Sequence, residues 1–141
     1  MKPLYLFLAF LLLPGCSSLD KNNDSDAPSG INISRHAASA TPSFGDQYEI
    51  TTAGEGVSSP ALNEGVLTLW VSFSGGCEEH DFVLGKSDSA DKITFWFTHK
   101  ANSDFCEAYL TEKIEVDVSQ DLTGEGGVEL QNPNGDPFSL R

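Results

Sequence analysis

Val66 to Leu84 reads VLTLWVSFSGGCEEHDFVL, and its alternation decides the fold class. Leu67, Leu69, Val71 and Phe73 recur at every second position, so an extended strand gathers all four on one face. Gly75 and Gly76 then break the run, and a second short one aligns Phe82 with Leu84. The same period continues outward on both sides. Residues 46–52 (DQYEITT) form a first short strand, and residues 91–100 (DKITFWFTHK) align Ile93, Phe95 and Phe97. Residues 107–119 alternate Ile114, Val116 and Val118 with Glu115 and Asp117. Two last runs, GGVELQ (126–131) and PFSL (137–140), flank Asn134-Gly135, a strong hairpin-turn signal. No segment sustains a helical stripe. About seven short strands over roughly 100 residues predict an all-β fold, a single antiparallel β-sandwich immunoglobulin-like in size. A small open barrel is the competing architecture.

The chain has 141 residues and opens MKPLYLFLAFLLLPGCSS. Lys2 followed by the apolar run Leu4–Leu13 fits the core of a secretory signal and is too short for a bilayer span, which takes about 20 apolar residues. Leu13-Pro14-Gly15-Cys16 resembles the lipobox of bacterial lipoproteins, with Pro14 in place of the usual small or aliphatic residue. That resemblance implies cleavage after residue 15 and diacylglycerol and fatty acyl groups (palmitate among them) on Cys16. Two or more acyl chains hold a protein stably on a membrane where one does not. Ser17, where an aspartate favours inner-membrane retention in such lipoproteins, implies the outer membrane facing the periplasm. Residues 16–43 are poor in large apolar side chains and rich in Ser, Asn, Asp, Ala and Pro, a composition that buries no core. The expected organisation is a signal peptide (1–15), a lipidated cysteine with a disordered linker (16–43), and one folded domain (44–141).

The formal net charge is −13, and removing residues 1–15 takes away Lys2 and no acid. So acidic a body repels phosphate backbones, which excludes nucleic acid as a partner. The expected partners are the membrane, through the lipid, and an envelope protein or glycan.

Setting Cys16 aside leaves Cys77 and Cys106. An exported protein folds in an oxidising compartment, where such a pair is normally joined. A bridge closing a loop of this length contributes about 3.5 kcal/mol in the chain-entropy model. The sharper alternative is a zinc or copper site built from Cys77, His80, His99 and Cys106, with Glu107 as a substitute ligand. C-x-x-H spacing alone is weak evidence, and the compartment favours the disulfide with no metal. His80 then packs at the loop edge, its ring hydrogen-bonded to backbone or carboxylate.

The skeleton Gly75-Gly76-Cys77, His80, Phe82, Leu84, His99, Asp104, Cys106-Glu107-Ala108 resembles a pattern in small exported bacterial proteins of unassigned function. The resemblance implies the fold unit and the disulfide, and transfers no activity. Asp104 stands in it as a turn-former or as a partner for His80 or His99. Acid–base catalysis needs sheltered carboxylates, and the acids near the bridge sit in a charge-rich loop. There is no nucleophile-elbow serine, phosphate loop or zinc-protease helix. By strand parity Trp70 and Trp96 both fall on the half-polar faces of their strands, and within one sheet they would form an aromatic platform for a sugar or a partner. The sequence therefore points to a cell-envelope lipoprotein with a non-enzymatic binding or scaffolding domain. Its candidate binding residues are Trp70, Trp96, His80, His99, Asp104 and Glu107. A periplasmic metal-binding lipoprotein is the alternative, and an envelope hydrolase comes third.

Overall fold

The computed structural model describes residues 30–36 and 41–141. The expected signal peptide, the lipidated Cys16 and the linker up to residue 29 lie outside the described residues, as do residues 37–40.

The described chain is all-β, in two sheets. In chain order the strands are β1 (Ile31–Arg35), β2 (Glu49–Thr51), β3 (Ala61–Asn63), β4 (Val66–Gly75), β5 (His80–Ser89), β6 (Lys92–Lys100), β7 (Ala108–Asp117), β8 (Gly127–Leu130) and β9 (Phe138–Ser139). One sheet runs β1-β5-β6-β8-β9. In the other, β4 is central: β7 pairs along one side, and β2 and β3 share the opposite side at its two ends. The long alternating run 66–75 thus becomes the strand on which its sheet is assembled, paired residue for residue with β7 from Val66↔Asp117 to Gly75↔Ala108.

Two expectations change, and one element is added. The pairing is not uniformly antiparallel, because β1 lies parallel to β5 and β8 parallel to β6. Between β6 and β8 the chain leaves for the other sheet as β7 and returns, so β8 arrives in the same direction as β6. Part of the expected linker is a strand. β1 offers only Ile31 and Ile33 in a polar background, and it is held by the backbone edge of β5 more than by burial. Arg35 fastens it further, donating to the Asp117 carbonyl and the Asp121 carboxylate at the end of β7. A short hairpin also escapes the alternation pattern. Asn63 pairs with Val66 around Glu64 and Gly65, both at positive φ (49° and 84°), the signature of a tight type I′ turn.

The inward faces of both sheets feed one apolar cluster. Leu67, Leu69, Val71, Phe73 and Ile114 come from one sheet, and Phe82, Leu84, Ile93, Phe95, Phe97, Val128 and Leu130 from the other. These are the residues that period two places on one face, and most are fully buried. The chain crosses between the sheets twice at the same end, through residues 76–79 between β4 and β5 and through residues 101–107 between β6 and β7.

Candidate functional site

The two crossings form one unit. Cys77 lies in the first and Cys106 in the second, at disulfide distance with Cα atoms 5.9 Å apart. Asp104 binds the same two segments by hydrogen bonds. Its Oδ2 accepts the backbone N–H groups of Gly76 (2.8 Å), Cys77 (2.9 Å) and Glu78 (3.0 Å), and Oδ1 accepts that of Cys106 (2.8 Å). Successive N–H groups converging on one oxygen make an anion-binding nest. Gly75 and Gly76, at φ +154° and +117°, supply the backbone bend that points these groups inward.

Beneath the nest lie the two histidines. His80 opens β5 and shares its inward parity with Phe82 and Leu84, and His99 near the end of β6 shares that of Phe95 and Phe97. Both are 1 % exposed, so His80 sits in the core and not at the loop edge. His80 Nδ1 lies 2.7 Å from His99 Nε2, and His80 Nε2 lies 3.1 Å from Asp104 Oδ2. His99 Nδ1 faces the Asp46 carbonyl at 3.3 Å. The imidazole planes are within 14° of each other with centroids 5.0 Å apart, which together with the short N···N distance describes rings meeting edge to edge. Phe82 stacks on His99, Phe73 leans over both rings, and Tyr48 meets His99 edge-on while donating its hydroxyl to the Phe97 carbonyl.

This packing sets the electrostatics. The Cys106 amide, with those of Glu78 and Cys77 and the His80 ring, outweighs desolvation and holds the Asp104 carboxyl far below the ordinary carboxylate range. Burial first, and then the neighbouring His80, push His99 below the ordinary imidazole value, against the opposing pull of the Asp46 and Gln47 carbonyls. Both groups bind protons less readily when folded than when unfolded. Their contribution to stability is therefore present above the unfolded values, about 6.5 for His and 3.9 for Asp, and is lost as pH falls below them. Near-UV circular dichroism should show stability declining below about pH 6.5 and falling again below about 3.9. Stability unchanged from pH 7 to 3 would contradict this.

The rest of the second crossing is tied down nearly residue by residue. The Ala101 N–H donates to the Asp46 carboxylate, and Asn102 donates to the Glu79 carbonyl and the Asp81 carboxylate. The Asp104 N–H returns to the Ala101 carbonyl. From this fixed base Phe105 projects with 91 % of its surface exposed. Glu78 and Glu79 in the first crossing and Glu107 in the second are exposed, as is Lys100 at the end of β6. Beside the loop, a cleft of about 300 Å³ is lined by Tyr48, Glu49, Ser72, Phe73, His99 and Tyr109 among others. Tyr109 is 62 % exposed and donates its hydroxyl to Glu49.

The expected sites divide on this geometry. His80, His99, Asp104, Cys77 and Cys106 are brought together, and Glu107 sits exposed at their edge. A shared tryptophan platform is ruled out: Trp70 is on β4 and Trp96 on β6, in different sheets, and Trp96 is 2 % exposed. The Trp96 indole lies so close over Gly85 that a Cβ there would stand 2.2 Å from it. The four residues of the alternative metal set do not converge as ligands. The sulfurs are turned to each other, and the ring nitrogens are engaged with one another, Asp104 and Asp46. Phe105 and Asp46 carried no signal in the alternation pattern. The tight sequence Asp104-Phe105-Cys106, with a large aromatic between a turn-former and a bridging cysteine, was the available clue.

No protein-family model matches the chain, and no curated protein matches it. Among solved structures it is similar to a NigD-like immunity protein from Bacteroides caccae, with a TM-score of 0.53 and 13 % sequence identity. The match covers 79 % of this chain and 58 % of that one, so the chain spans less than two thirds of that structure. At this identity the likeness concerns the fold alone.

Proposed function

We propose that this chain is a cell-envelope lipoprotein whose β-sandwich is a non-enzymatic module for docking a protein. The lipobox resemblance of Leu13–Cys16 supports the anchor, and the shared core of the two sheets supports the sandwich. The observation that carries the docking role is Phe105. A fully exposed aromatic gains nothing for the fold, yet this one stands on a loop fixed by a cystine, a buried carboxylate and two further polar ties. Rigid aromatic anchors of this kind dominate binding energy at protein interfaces, because little conformational entropy is lost on contact. The acidic surroundings specify the chemistry of the partner as an apolar socket within a cationic protein surface. An anionic lipid surface would be repelled by the same charges.

The metal-binding and hydrolase readings draw no comparable support, since the imidazole nitrogens and the Asp104 oxygens already have partners. The fold likeness to an immunity protein supports the architecture and brings no partner with it.

Placing a photo-crosslinking residue at the exposed neighbouring position 107, with Phe105 retained, should capture a discrete cationic protein in intact envelopes. Phe105→Ala should weaken binding of that protein by about 30-fold or more, the scale of an interface anchor, while stability stays within about 0.5 kcal/mol. Glu78→Lys with Glu79→Lys should abolish capture as well. Capture insensitive to both changes, or capture of lipid alone, contradicts the reading.

A further inference from the structure

We propose that His80 and His99 together form a binding site for a single excess proton, and that this proton completes the bond network closing the two crossings at the Asp104 nest. The inference goes beyond the docking role and does not depend on it. It follows from counting protons along one line of atoms.

The line runs from the Asp46 carbonyl through His99 Nδ1 and Nε2, then His80 Nδ1 and Nε2, to Asp104 Oδ2. Both ends are oxygens that only accept, because the Asp104 carboxylate is held ionised by four backbone N–H groups. The Asp46 link therefore needs a proton on His99 Nδ1, and the Asp104 link needs one on His80 Nε2. The link between the rings, at 2.7 Å, needs one more between its two nitrogens. Three protons on two imidazoles amount to one net positive charge.

The neighbouring protonation states each break the line. Two neutral rings carry two protons, so one of the three links sets lone pair against lone pair: either the 3.3 Å contact to the Asp46 carbonyl or one of the two inner links, where an unmade hydrogen bond is costlier. Two imidazolium rings carry four, and the ring-to-ring contact then sets N–H against N–H at 2.7 Å. With three protons every polar atom along the line has a partner.

Charge balance points the same way. The Asp104 side chain is completely buried, and the His80 ring is the cationic group placed against it. A buried carboxylate without a countercharge is strongly destabilising. The other titratable groups facing the pair are Asp46 and Tyr48, on the approach to β2; the Asp46 carboxylate accepts from the Ala101 N–H, and Tyr48 is uncharged with its hydroxyl on Phe97. β4 and β5 contribute the Phe73 and Phe82 rings. One shared proton thus neutralises Asp104 and links β5, β6 and both crossings.

Nitrogen-resolved NMR of the histidine-labelled full-length protein tests this without any substitution. At pH 7 the expected spectrum shows two protonated nitrogens on His80 and one on His99, with exposed His36 as the solvent-facing comparison. As pH rises and the excess proton leaves, both rings should shift together. The Gly76, Cys77, Glu78 and Cys106 amides held by Asp104 should move with the same midpoint. One protonated nitrogen on each ring at pH 7, or nest amides that ignore the titration of the rings, would overturn the proposal.

Discussion

Gly75→Ala should destabilise the domain by about 3 kcal/mol or more, or prevent folding, although it adds a single methyl group at a strand end. A Cβ at this position would stand 2.3 Å from His80 Nε2, 2.6 Å from Cε1 and 2.9 Å from Asp104 Oδ2. The backbone there is at φ +154°, a conformation that residues with side chains rarely adopt. Neither neighbour can yield, since the imidazole is fixed by His99 and the carboxylate by four amides. Gly56→Ala is the matched control. It has a positive φ of 75° with nothing within 4 Å, so only the conformational cost of about 1 kcal/mol is expected. Urea unfolding of the two variants measures how far strain and collision together at Gly75 exceed the ordinary left-handed cost at Gly56. Equal midpoints would mean that the Gly75 approach has no energetic weight.

The second large effect is loss of the bridge. Replacing Cys77 and Cys106 together with serine releases a constraint spanning 29 residues and should cost about 3.5 kcal/mol. Much of a small domain's stability is of this size. The urea midpoint should fall by a corresponding amount, and reduction of the native protein should reproduce the shift. Unreduced folded protein should label with maleimide at neither position. An unchanged midpoint on reduction would remove the bridge as a stabilising element. Because Asp104 ties the same two crossings, the bridge and the nest should be coupled, with the double loss smaller than the sum of the separate ones.

The sequence exposed much of this fold because period-two alternation survives wherever one strand face is buried. β4, β5, β6 and β7 are legible for that reason, from Leu67 to Val116. β1 was hidden because it is recruited through backbone pairing with β5, and Asn32, Ser34 and Arg35 carry no burial signal. Parallel pairing was equally silent, since it depends on where the chain re-enters a sheet and not on which side chains face inward. The tryptophans show the limit of parity. Their faces follow from alternation, but the assignment of β4 and β6 to different sheets does not.

The candidate site was legible as a composition and not as a geometry. Cys77, His80, His99, Asp104 and Cys106 stand out as residue types, and the export expected from the leader favours joining the cysteines. What spacing cannot convey is that residues 76–79 and 101–107 leave their sheets at the same end. That one fact places a carboxylate from the second crossing among three amides of the first, directly above two inward-facing rings. It also turns Phe105 outward from a loop held by these bonds.

Native-state hydrogen exchange at the Gly76, Cys77, Glu78 and Cys106 amides measures that base directly. If Asp104 holds these groups as one buried unit, they exchange only with openings as rare as those of β4 and β6, despite their place in loops at the surface. Exchange as fast as that of the exposed segment around Gly54–Gly56 would mean that the crossings open freely, leaving Phe105 without a rigid support.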